Sequence, residues 1–231
     1  MGFVENMGYK FIYQLSIVRN HPDFCLSTRE VQAFAEAGTR VSEFEGKLCS
    51  DAGRKDGEVV CYWGNLNSMA SDCQHMIGEV VIDANNEKSA WKLKNMTNIY
   101  GTLTIQGTNE LVDLSFLSSL RQIASLKSIE PRKVQVFRIL SNKKLQRIAL
   151  PEMKTPPFPI LMGDYTEIDG NTLELIKDRR YCYLFEKLTQ TKVKYNGKRC
   201  KKLTPSLEYG TPDLEGWEWQ VPSDEEFWNF P

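Results

Sequence analysis

A short phrase of alternating character recurs along this chain: an apolar residue, a spacer, isoleucine, two residues, then asparagine or threonine. It runs from Leu15 through Ile17 to Asn20, from Val80 through Ile82 to Asn85, from Leu103 through Ile105 to Thr108, and from Phe137 through Ile139 to Asn142. A copy lacking the first apolar residue runs from Thr166 through Ile168 to Asn171. Period-two alternation marks a strand with unlike faces, and asparagine tolerates the backbone of the turn that ends it. The last four isoleucines recur at intervals of roughly 20 to 35 residues, the range of stacked repeats. The pattern predicts a mainly β fold: a right-handed parallel β-helix, or solenoid, with short flanking helices. The turn asparagines are read as structural, because stacked amides can bond along a stack.

Other segments fill in this frame. A strand is predicted over Tyr9 to Ile17, then a turn at Asn20 to Asp23. Ser27 followed by Glu30 forms a capping-box pattern. It predicts a helix over 28–37 that buries Val31 and Phe34 and stops at Gly38. Asp51 to Gly57 is polar and reads as a junction. Beyond it, Ile99, Leu103 and Ile105 should face inward and Thr102 and Thr104 outward, with Gly101 where coils approach closely. Asp113 to Leu120 should form a corner that plugs the core with Leu114, Phe116, Leu117 and Leu120. Leu145, Ile148 and Leu150 should close the next coil. The prolines of 155–159 require a loop. From about Leu203 the chain carries Trp217, Trp219, Phe227, Trp228 and Phe230 among acids, with no helical or strand period. That stretch, 203–231, is expected to be a disordered acidic, aromatic tail.

Composition narrows the function classes. A net charge of −1 over 231 residues gives no global pull toward nucleic acid or anionic lipid. No run of about 20 apolar residues predicts a membrane span, and the first residues lack the pattern of a secretory signal. The six cysteines are Cys25, Cys49, Cys61, Cys73, Cys182 and Cys200. They have no Cys-x-x-Cys spacing, which favours disulfides over structural thiols and leaves little room for a metal site. Spacing alone does not fix their pairing. Asn95-Met96-Thr97 is a glycosylation sequon. Only two histidines exist, His21 and His75, and no nucleophile, phosphate-loop or zinc motif is present. No catalytic residue, cofactor or metal is therefore assigned. The enzyme alternative is a glycan-cleaving β-helix using Asp83, Asp164, Glu167 or Asp169, although acids on turns are usually solvated. The basic run Lys192, Lys194, Lys198, Arg199, Lys201 and Lys202 reads as a solvated face, or one paired with the tail, rather than a nucleic-acid site.

The stretch Ile99-x-Gly101-x-Leu103-x-Ile105, with Asp113-Leu114-Ser115-Phe116-Leu117 after it, resembles the receptor L domain of the insulin and epidermal growth factor receptors. Cys73 with Ile77-Gly78-x-Val80-x-Ile82 resembles that module's opening, and Asn142-x-x-Leu145-x-x-Ile148 its later coils. The resemblance implies a complete L domain over 57–202 and the C-terminal part of a truncated one over 1–50. Two abutting L domains without a cysteine-rich segment look most like the nematode insulin/EGF-receptor L-domain proteins. The family implies bridges Cys61–Cys73 and Cys182–Cys200 at the ends of the complete module and Cys25–Cys49 in the truncated one. It implies an extracellular or cell-surface place, so the chain is expected to be a fragment. It also implies non-enzymatic binding of a protein or peptide ligand on a sheet face. The outward candidates are Glu79, Val81, Thr102, Thr104, Val136, Arg138, Tyr165 and Glu167. The alternative is a structural or self-associating module without a soluble ligand.

Overall fold

Ser27 and Glu30 start the first helix by satisfying each other. The Ser27 N–H and hydroxyl donate to the Glu30 carboxylate at 2.7 and 2.8 Å, and the Glu30 N–H donates to Ser27 Oγ at 3.2 Å. Two of the backbone donors at the helix start are thus bonded, and α1 runs over Thr28–Glu36. Val31 is fully buried and Phe34 half-buried. Around it, β1 (Gln14–Ile17) pairs in parallel with β3 (Arg40–Phe44), and β2 (Cys25–Leu26) with β4 (Lys47–Leu48).

The computed structural model describes residues 14–18, 21–37, 39–50, 57–125, 135–148, 150, 152, 160–161, 165–171, 179, 182–183, 185–186 and 192–203. The strand expected at Tyr9 to Tyr13, Asn20, the Gly38 stop, most of the 51–57 junction, the proline loop and the tail beyond residue 203 lie outside them; the turn expected at Asn20 to Asp23 is present at Pro22 and Asp23, where the Phe24 N–H donates to the His21 carbonyl at 2.8 Å.

The remaining strands form one nine-stranded sheet. They are β5 (Val60–Tyr62), β6 (His75–Ile82), β7 (Asn98–Gln106), β8 (Gln122–Ala124), β9 (Gln135–Leu140), β10 (Ile160–Leu161), β11 (Tyr165–Asp169), β12 (Lys192–Tyr195) and β13 (Lys198–Arg199). Every pairing is parallel except that of β12 with β13. The molecule is mainly β, with short helices on the connections. Parallel register stacks like on like: Ile82 lies beside Ile105, Ile105 beside Ile139, and Ile139 beside Ile168. All four are fully buried in one core. Ile17, in the first copy of the phrase, belongs instead to a second cluster around Leu26, Val31 and Phe44. A buried isoleucine contributes about 1.5–3 kcal/mol, more than an exposed ion pair at under about 1 kcal/mol, so the interior column fixes the register. Leu114, Phe116, Leu117 and Leu120 plug the core from a short 3-10 turn, Ser115–Leu117.

Strand β7 pairs with β6 along one edge and serves two ladders on the other. Its first half pairs with β8 and its second half with β9. The division falls at Gly101, which pairs with Gly78; both have positive φ, +157° and +127°. A Cβ on Gly101 would fall on the Gly78 carbonyl oxygen. Outward side chains on the first half are not free. Tyr100 and Ala124 are buried in the cluster that holds Leu26, Val31 and Phe44, with Ile77 packed against it. The N-terminal unit therefore covers that part of the sheet.

Three disulfides join Cys25 to Cys49, Cys61 to Cys73 and Cys182 to Cys200, with Cα separations of 4.9, 5.8 and 5.4 Å. These are the pairs the resemblance implies. Cys61 lies on β5, at one end of the sheet, and Cys200 directly follows β13, at the other. An end strand has a neighbour on one side only, and a bridge closing a loop of this size contributes on the order of 2–3 kcal/mol.

Gly101→Ala is expected to destabilise the fold by about 2–3 kcal/mol, from backbone strain and the clash with Gly78. Thermal or urea melts check this, and a melt within about 0.5 kcal/mol of wild type would contradict the close approach.

Candidate functional site

The register that aligns the interior isoleucines also aligns an outward row one residue before them. Val81 pairs with Thr104, Thr104 with Arg138, Arg138 with Glu167, and Glu167 with Lys194. Four of the sequence candidates thus stand side by side, and Glu79 pairs with Thr102 beside them. Glu79 is exposed, and Val81, Thr102, Arg138 and Glu167 are half-buried. Thr104 stands outward but is only 8% exposed, in register between two larger neighbours. The Arg138 Nε donates to Glu167 Oε2 at 3.2 Å, so the centre of the row is a neutral pair.

Val136 corrects the sequence reading. It is fully buried and belongs to the main core. Tyr165 pairs with Gln135 and Thr166 with Phe137, so β9 carries Val136 as an extra, unpaired residue. Such a bulge re-aims a side chain that simple alternation would point outward. Tyr165 holds its backbone place on β11, and its side chain lies outside the described ones. Lys194 completes the row but was assigned from the sequence to a separate basic run. Only the parallel register joins it to Glu167.

The row is held from one end by a polar ladder. Thr108 Oγ1 donates to Asn142 Oδ1 at 2.9 Å, and Asn142 Nδ2 donates to Asn171 Oδ1 at 2.8 Å and to the Ile105 carbonyl at 3.0 Å. Asn171 Nδ2 donates to the Ile139 carbonyl at 2.6 Å. Thr108 and Asn142 are fully buried. Asn85 stands apart from this ladder: it is exposed and caps its own turn through Asp83, while Asn86 reaches the Val81 carbonyl at 2.9 Å. Glu87 was missed in the sequence. Its buried carboxylate accepts N–H bonds from Asn109, Glu110 and Leu111, tying one connection to the next.

The titratable groups near the sheet are structural in their contacts. His75 is buried between Glu58, at 2.9 Å from Nε2, and the Tyr100 hydroxyl, at 3.3 Å from Nδ1. His21 is exposed beside Asp23. The Ser115 N–H, donating to Asp113 at 3.0 Å, holds that carboxyl below the ordinary aspartate value, with Arg147 adding to the effect. Burial pushes the Glu186 carboxyl up, against the opposing pull of the Val193 N–H, Arg199 and Lys192. Of the acids considered for glycan cleavage, Asp83 accepts the Asn85 N–H, Glu167 is held by Arg138, and Asp164 lies outside the described residues. Asp83 follows β6 and Asp169 ends β11, three strand spacings or about 14 Å apart. Paired glycosidase carboxylates sit about 5–9.5 Å apart; Glu167 and Asp169, two residues apart on β11, stand about 7 Å apart, with Glu167 bonded to Arg138. Among the described residues, no group of three or more His, Cys, Asp and Glu could hold a metal ion. Among them also, no helix is long and apolar enough to cross a membrane. The sequon residue Asn95 is exposed, with Nδ2 donating to the Ser71 carbonyl at 3.1 Å.

Residues 72–156 match the family model described as the receptor L domain. No curated protein matches the chain.

Asn142→Ala is expected to cost about 2–4 kcal/mol, because it strands the buried Thr108 hydroxyl and the Ile105 carbonyl together; chemical denaturation measures it. For Asp113, the folded value lies below the unfolded one, so its stabilisation is present above the unfolded value and is lost as pH falls through the folded one. Asp113→Asn should therefore lower stability at neutral pH by under about 1 kcal/mol. The gap to wild type should close below about pH 4, read from melts across pH.

Proposed function

The chain contains a receptor L domain, and from that premise we propose that it is a non-enzymatic extracellular recognition module that takes a protein or peptide ligand. The single observation that carries this reading is the continuous outward row Val81, Thr104, Arg138, Glu167 and Lys194, in register over five strands. The other part of the sheet face lies under the N-terminal unit. Parallel strands present side chains in a near-planar grid that suits an extended or helical partner. The in-register column of isoleucines supports a β-helix over 57–202, and the parallel pairs of 14–48 support the end of a second L domain before it. Two such units with no cysteine-rich segment between them favour a likeness to the nematode receptor-like proteins. Three disulfides favour an oxidising compartment. On that route Asn95 is the residue that would take an N-glycan.

A displayed library of secreted peptides, panned against the disulfide-intact chain, tests the proposal. Binders should be lost on Thr104→Arg and on the exchange Arg138→Glu with Glu167→Arg, in proteins that still melt cooperatively. Binders indifferent to both variants would remove the row as the site. A stable ligand-free dimer by size exclusion, returned to monomer by Thr104→Arg, would favour the self-association alternative.

A further inference from the structure

We infer that the hairpin β12–β13 and the turn after it form a binding strip for a linear sulfated polysaccharide. Residues 187–207 contain no aspartate or glutamate. Lys192, Lys198, Arg199, Lys201 and Lys202 are exposed, and Lys194 is half-buried. Strand alternation puts Val193 and Tyr195 into the core and turns Lys192 and Lys194 outward. Lys194 pairs directly with Arg199 across the hairpin. Like charges directly opposite are destabilising, so an anion lying between them is favoured. Asn196 and Gly197 make the turn with φ of 45° and 72°. The Asn196 side chain accepts the Gly170 N–H at 3.0 Å, and its own N–H donates to the Ile168 carbonyl at 2.9 Å. The Cys182–Cys200 bridge anchors the next turn, Cys200–Lys202, which carries two further cations. Glu167 is bonded to Arg138, and Glu186, which accepts the Val193 N–H, also interacts with Arg199 and Lys192 at one edge of the strip.

The chemistry favours one class of partner. Cations on alternate strand positions lie about 7 Å apart, with others about 5 Å away across the hairpin. A strip of that shape fits a chain of repeating anionic groups better than a point anion. Among the described side chains of β12, β13 and the turn after them, the aromatic is Tyr195, which is 2% exposed and faces the core. Single-stranded nucleic acid is held by aromatic stacking platforms as well as by charge. The choice of a sulfated polysaccharide over other polyanions rests on the extracellular reading above. The whole chain has a net charge of −1, so attraction to a polyanion has to be local.

The test is fluorescence polarisation of a labelled heparin fragment with the full, disulfide-intact chain over a range of salt. Wild type should bind, with log K falling linearly in log salt. Lys201→Gln with Lys202→Gln should weaken binding by about tenfold or more. Lys88→Gln with Lys94→Gln, equal in charge and exposed on the link between β6 and β7, should change it less than about twofold. Thr104→Arg should leave it intact, which separates this strip from the outward row, with which it shares Lys194. Absence of binding, equal weakening by both lysine pairs, or displacement of heparin by an oligonucleotide of matched charge would overturn the inference.

Discussion

Val80, Leu103, Phe137, Thr166 and Val193 stand in one inward column, and Ile82, Ile105, Ile139, Ile168 and Tyr195 in the next. All ten are buried, and nine are apolar. Slipping any strand by one residue would turn its buried set to water and its outward set into the core. That penalty scales with several side chains at once, so the columns fix the register and the register fixes what lies outside. Arg138 meets Glu167 because Phe137 meets Thr166. The outward row is a by-product of an interior that tolerates only one alignment.

The polar ladder at the end of these columns works in the same direction by a different force. Backbone groups at the turn after each strand lack a sheet partner, and buried ones must find a bond. Asn142 answers on both sides, bonding the strand before it and the turn after it. Being buried, these bonds specify geometry more sharply than exposed ones would. They pin the turns after β7, β9 and β11 to one another while the connections between strands differ in length.

The parts legible in the sequence were those where one residue type repeats against one physical demand. The isoleucine column, the Ser27–Glu30 cap and the Leu114–Leu120 plug are local patterns, and the structure contains each of them. Legibility ended where the deciding partner is far away in sequence. Alternation along β9 would turn Val136 outward, yet it is buried, because a bulge against β11 breaks the alternation. Thr104 has an outward position, but in-register neighbours from other strands cover it. Lys194 joins the outward row only through pairing with Glu167. Glu87 reads as one more surface acid, yet backbone N–H groups more than twenty residues on bury it.

Tyr100 belongs to β7 by sequence and to the N-terminal cluster by packing. The polar junction between the two halves is thus a seam in the chain but not in the interior. Cutting at that seam would leave Ile77, Tyr100 and Ala124 facing water as a greasy scar on the larger half. The two halves have one shared inventory of side chains, and are better treated as a single heritable unit than as interchangeable parts.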